Sequence, residues 1–117
     1  MTNVPAFLEQ ATDIVEAMIP GVNVIPFGHM GDGNIHFNLS RPPETDGAEM
    51  MAKAHDLEVA VHDLAVDLDG SFSAEHGIGK LKRGELARYK SDVEFDLMRK
   101  IKAALDPNDT MNPGKVL

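Results

Sequence analysis

Hydrophobic and polar residues alternate without a break from Asn34 to Ser40. Ile35, Phe37 and Leu39 fall on one face of an extended segment, and Asn34, His36, Asn38 and Ser40 on the other. A period of two predicts a half-buried strand. Upstream, Val22–Phe27 is β-branched and apolar and reads as the arm before it. Pro26 offers no ladder donor there, which predicts an edge position or an irregularity just before His29. Elsewhere the period is helical. Phe7, Leu8, Ala11, Ile14, Val15 and Met18 recur at helical spacing over 5–18, with Pro5 suited to a first helical position and Pro20-Gly21 ending the run. From about Thr45 to Asp69, Met50, Ala54, Leu57, Val61, Leu64 and Leu68 form a second stripe, with Gly70 placed to cap it. Ser71–Ala74 reads as a short third strand, and 80–90 as a short basic helix or turn. Ser91 and Glu94 form a capping box that opens a helix carrying Leu97, Met98, Ile101, Ala104 and Leu105, stopped by Asp106-Pro107. This order predicts an α+β fold, a small antiparallel sheet with helices packed on one face. Three strands are thin, and such a sheet wants a further strand from another chain or from a missing part of this one.

Between the first two strands, Asp32-Gly33 is a two-residue hairpin signal, because a type I′ turn needs positive φ at both central positions. If they form the turn, Gly31 faces Asn34, Met30 faces Ile35 and His29 faces His36. Two imidazoles then converge on the polar face, a geometry that suits zinc or a similar divalent ion. The competing interpretation is a surface hairpin whose histidines happen to oppose each other. Two ligands hold a metal poorly, so a third must come from elsewhere. His55 and His62 lie two helical turns apart, about 10.5 Å of rise, too far for one ion, and read as structural or solvent-facing. Glu75-His76-Gly77-Ile78-Gly79 is a better source. Its glycines permit a tight loop, and either Glu75 or His76 can supply the ligand while the other acts as acid–base group. Taken alone, this segment is equally a loop whose charged residues are simply exposed.

Composition narrows the function. The chain has 117 residues, one domain by size, with a formal charge of −8 and a pI near 4.9. That balance argues against a nucleic-acid or anionic-membrane surface. Charge is uneven, with no Lys or Arg before Arg41 and eight between Lys80 and Lys102, most of them expected on solvated helix faces. Without cysteine the chain forms no disulfide and does no thiol chemistry. No segment has the apolar length of a membrane span and the start lacks a signal pattern, so the expectation is a cytoplasmic protein.

Three motifs together carry a resemblance. Phe27-Gly28-His29-Met30-Gly31-Asp32-Gly33-Asn34-Ile35-His36, then Ser73-Ala74-Glu75-His76-Gly77-Ile78-Gly79, then Leu105-Asp106-Pro107 with Met111-Asn112-Pro113-Gly114-Lys115-Val116 are similar to the carboxy-terminal domain of the FAD-linked oxidases. That group includes D-lactate dehydrogenases, the glycolate oxidase FAD subunit and D-2-hydroxyglutarate dehydrogenases. The resemblance implies a ferredoxin-like piece of that domain, residues 1–117, without the flavin-binding domain and without the upstream basic residues that hold the substrate carboxylate. It implies FAD, bound mainly elsewhere, and a divalent metal, zinc or manganese. It assigns His29, His36 and Glu75 as metal ligands, His76 as the base, Asn38 to the substrate and Asn112 to the approach of the tail to the flavin. The implied reaction oxidises a small D-2-hydroxy acid to the 2-oxo acid, with an electron acceptor the sequence does not name, and the isolated chain should not turn over. Exposed surfaces of such a piece predict a homo-oligomer. Two other interpretations stand beside it: a metal-binding module that completes a partner's active site, and a structural remnant associating through its sheet edge.

Overall fold

The computed structural model describes residues 3–29 and 31–117. Among them the elements run α1 (Val4–Met18), β1 (Asn23–His29), β2 (Asn34–Ser40), α2 (Gly47–Asp67), α3 (Arg83–Tyr89) and α4 (Asp92–Leu105), an α+β arrangement. The chain divides into two compact units, Met1–Ala74 and Glu75–Leu117.

In the first unit the apolar faces meet as their periods dictate. Val15, Ile19, Val22 and Leu57 are buried together, and Met18, Val24, Phe37, Leu39, Met50 and Val61 pack against them. Helices α1 and α2 therefore cover the inner face of the β1–β2 hairpin. Phe7 meets Phe37 edge-on with centroids 5.7 Å apart, a favoured aromatic geometry. Val15 is fully buried, which stabilises the unit by about 1.5–3 kcal/mol. On the outer face Ile25 and Phe27 lie exposed.

The hairpin is where sequence and structure part. Its register pairs Phe27 with His36, Gly28 with Ile35 and His29 with Asn34. His29 therefore does not face His36, as the Asp32-Gly33 turn predicts. The Asp32 carboxylate accepts the Asn34 N–H at 3.1 Å, and the Gly33 N–H donates to the His29 carbonyl at 3.0 Å. Asp32 thus begins a side-chain turn of its own, the loop is longer, and every pairing shifts by two. A shift of two preserves side-chain parity, so both histidines keep the outer face by register. The predicted partner of Ile35, Met30, lies outside the described residues. Pro26 sits in β1 opposite Phe37, tolerated because each strand of a two-stranded sheet is an edge.

Residues 71–74 form no strand. Ser71 Oγ accepts the Ser73 N–H at 3.2 Å, a local turn that competes with ladder pairing. Phe72 instead sets its ring 5.9 Å from that of His62 on α2. The end of α2 also differs from expectation. Asp69, at φ 60°, takes the left-handed position predicted for Gly70. Its N–H donates to Val66 O at 3.0 Å, and the Gly70 N–H to Ala65 O at 2.7 Å, the paired bonds of a Schellman motif. Gly70 is the close neighbour, where a Cβ would stand 2.7 Å from the Ala65 oxygen.

In the second unit, α4 opens with the predicted capping box. Ser91 Oγ accepts the Glu94 N–H at 3.3 Å, and Glu94 accepts the Ser91 N–H at 3.0 Å. Lys90, through a 2.9 Å contact, and then the Ser91 backbone hold the Glu94 carboxyl down at about 2. At the other end Asp106, buried, gathers the tail. It accepts N–H bonds from Thr110 at 2.9 Å and Met111 at 2.8 Å, and pairs with Lys102. That lysine and those amides hold its carboxyl well below the usual range.

Candidate metal and substrate site

By register, β1 and β2 carry Phe27, His29, Asn34, His36 and Asn38 on the outer face of the hairpin. His29 and His36 are diagonal neighbours there. Diagonal positions lie about 7–8 Å apart, within the joint reach of two imidazoles that bind an ion at about 2.0–2.1 Å. Each histidine has its own companion. His29 Nδ1 lies 3.8 Å from the Asp32 carboxylate. His36 lies flat against Phe27, with ring centroids 4.8 Å apart and planes 12° apart. Gly28 makes the close approach of the strands possible, since a Cβ there would stand 2.1 Å from the Asn34 carbonyl oxygen.

Glu75, His76 and Asn112 belong to the second unit. The chain bends through Ala74–His76, so the side chains of Glu75 and His76 are not bound to the strict divergence of an extended strand. Asn112 adopts φ 52° in the tail, and its carbonyl accepts the Lys115 N–H at 3.3 Å. The tail then returns, with the Val116 N–H donating to Gly79 O at 2.7 Å. It is thereby tied to the loop that carries Glu75 and His76. The hairpin brings His29, His36 and Asn38 onto one face, and the second unit holds the remaining candidates on one loop and the tail bonded to it.

Three contributors escape the sequence patterns. Phe27 sits two residues before His29, so its place on the polar face was there in the alternation, but its stacking on His36 depends on the true register. Val116 gives no signal in its residue type. Asp106 reads as a helix stop, whereas it organises the tail. As residue types, the candidates carry imidazole nitrogens and a carboxylate, groups that a divalent cation takes as ligands.

The chain matches the family described as "FAD linked oxidases, C-terminal domain" over residues 1–116. It belongs to that family. Among its relatives, D-2-hydroxyglutarate dehydrogenase of Stutzerimonas stutzeri is 41% identical over 97% of this chain and 24% of its own length. D-lactate dehydrogenase of Archaeoglobus fulgidus is 40% identical over 83% of this chain and 20% of its own length. The mitochondrial D-2-hydroxyglutarate dehydrogenase of Danio rerio is 36% identical over 94% of this chain and 21% of its own length. The chain thus spans about a quarter or less of the length of these relatives. Among the described residues, no helix is long and apolar enough to cross a membrane.

Proposed function

We propose that this chain is the metal and acid–base part of an FAD-dependent enzyme that oxidises a small D-2-hydroxy acid to the 2-oxo acid. The observation that carries the reading is the hairpin face, where His29, His36 and Asn38 stand together by register in a chain of this family. His29 and His36 would offer imidazole nitrogens, and Glu75 a carboxylate, as ligands. When bound, a divalent cation, zinc or manganese, would supply Lewis acidity toward the substrate oxygens, and a flavin held mainly elsewhere would accept the Cα hydrogen together with its electron pair. His76 takes the hydroxyl proton, a task for which an imidazole is suited near neutral pH. Asn38 offers its amide to the substrate's polar groups. Asn112, held in a left-handed turn, would be the tail residue that approaches the flavin.

The reading extends to a cytoplasmic enzyme that self-associates. Val93, Leu97, Ile101 and Leu105 recur at steps of four along α4 and all are exposed, a stripe that seeks cover. Light scattering on the chain should give more than its 12.7 kDa.

A chimera tests the function. The chain replaces the matching quarter of the Stutzerimonas stutzeri dehydrogenase, and flavin reduction is followed with D-2-hydroxyglutarate, D-lactate and glycolate. Bleaching of the flavin by at least one of them is expected. A chimera that carries flavin and metal yet is reduced by none of them would refute the reading.

A further inference from the structure

We propose that Phe27 is a positioning residue that fixes the ring plane of His36 for metal binding, an inference that rests on the metal reading above. Phe27 is 56% exposed, on the sheet face that the core does not use. An aromatic ring left there needs another reason, and its contact supplies one. Phe27 and His36 are directly opposed across the strands, and their rings are nearly parallel, 12° apart at a centroid distance of 4.8 Å. The χ2 torsion of histidine is broad and roughly two-fold, so the backbone alone does not set the ring plane. Stacking does. It occupies one π-face of the imidazole and leaves the in-plane nitrogen lone pairs, the atoms that bind a metal, pointing along the edge of the stack. Groups that orient a ligand histidine are usually hydrogen-bond acceptors. At His29 the Asp32 carboxylate stands 3.8 Å from Nδ1, longer than a hydrogen bond, and at His36 the ring of Phe27 lies flat against the imidazole.

The same geometry says which replacements should be tolerated. Tyrosine keeps the ring and the stack, with its hydroxyl directed toward solvent. Leucine keeps an apolar side chain of moderate volume and loses the flat surface. An apolar contact alone would treat the two variants in the opposite order, because leucine is the more apolar.

The test uses the whole chain with zinc(II), and with manganese(II) in parallel, titrated by calorimetry into wild type, Phe27→Tyr, Phe27→Leu and His36→Ala. Circular dichroism reports the fold of each. In the metal-free proteins, NMR reads the ring-current displacement of the His36 Cδ2 proton. Expected are Phe27→Tyr within about twofold of wild type, Phe27→Leu weaker by about tenfold, and a displaced Cδ2 proton in wild type and Phe27→Tyr alone. Wild-type affinity in Phe27→Leu, with binding lost in His36→Ala, would overturn the role of Phe27 and leave the metal reading standing. Equal weakening in Phe27→Tyr and Phe27→Leu would overturn it too. Absence of binding in wild type would remove the metal reading and this inference with it. If Phe27→Leu loses its fold, Phe27→Ile takes its place under the same criteria. An undisplaced Cδ2 proton in wild type refutes the stack whatever the titrations give.

Discussion

Gly28 lies so close to Asn34 that a Cβ built on it would stand 2.1 Å from the Asn34 carbonyl oxygen and 3.0 Å from the Ile35 Cα. Both obstacles are backbone, and neither can rotate away. The glycine has φ 156°, which aims its absent side chain into the opposite strand. The spacing of His29 and His36 depends on this approach. Gly28→Ala should destabilise the chain by about 2–4 kcal/mol, from overpacking and backbone strain together, measured by urea unfolding. A loss below about 0.5 kcal/mol would mean that the strands stand farther apart.

The end of α2 gives a prediction of opposite sign. Asp69 holds the left-handed position at φ 60°, where glycine carries no Cβ penalty. Asp69→Gly should stabilise by about 0.5–1 kcal/mol, and Gly70→Ala should destabilise, because its Cβ would meet the Ala65 oxygen at 2.7 Å. Thermal unfolding of both variants checks the assignment. The reverse order would restore Gly70 as the cap.

Acid should loosen the second unit first at α4. Lys90 and the Ser91 amide hold the Glu94 carboxyl at about 2 against an ordinary 4.5. A carboxyl depressed in the folded state contributes stability above its unfolded value, and that contribution falls away as pH drops from about 4.5 toward 2. Helical circular dichroism should decline over that window, with a shallower decline in Glu94→Gln. Asp106, held lower still, should give way after it. Ser91→Ala should cost about 1 kcal/mol at neutral pH.

His76 should separate binding from chemistry. In the chimera, His76→Ala should keep its metal and flavin while flavin reduction slows by about 10²–10⁴-fold. Loss of metal with a normal rate at the remaining loaded sites would instead make His76 a ligand.

The elements set by short-range chemistry were legible in the sequence. The capping box at Ser91 and Glu94, the stripe through Val15 and the alternation from Asn34 to Ser40 all depend on neighbours within one turn or one strand. The register was not, because the Asp32 side chain competes for the Asn34 N–H, and nothing in an Asp-Gly pair says which competitor wins. Parity survived the slip of two, which is why His29 and His36 stayed on one face although their partners changed. The strand expected at Ser71–Ala74 failed for a similar reason, a serine hydroxyl capturing a backbone amide. Phe27 was hidden because its role lies across the sheet, in the ring of His36.

Metal binding by His29, His36 and Glu75 is tested by a zinc titration of the whole chain beside His29→Ala, His36→Ala and Glu75→Ala. One ion per chain is expected in wild type, with affinity reduced by at least about tenfold in each variant. An affinity left unchanged by Glu75→Ala, or by both histidine variants, would contradict it.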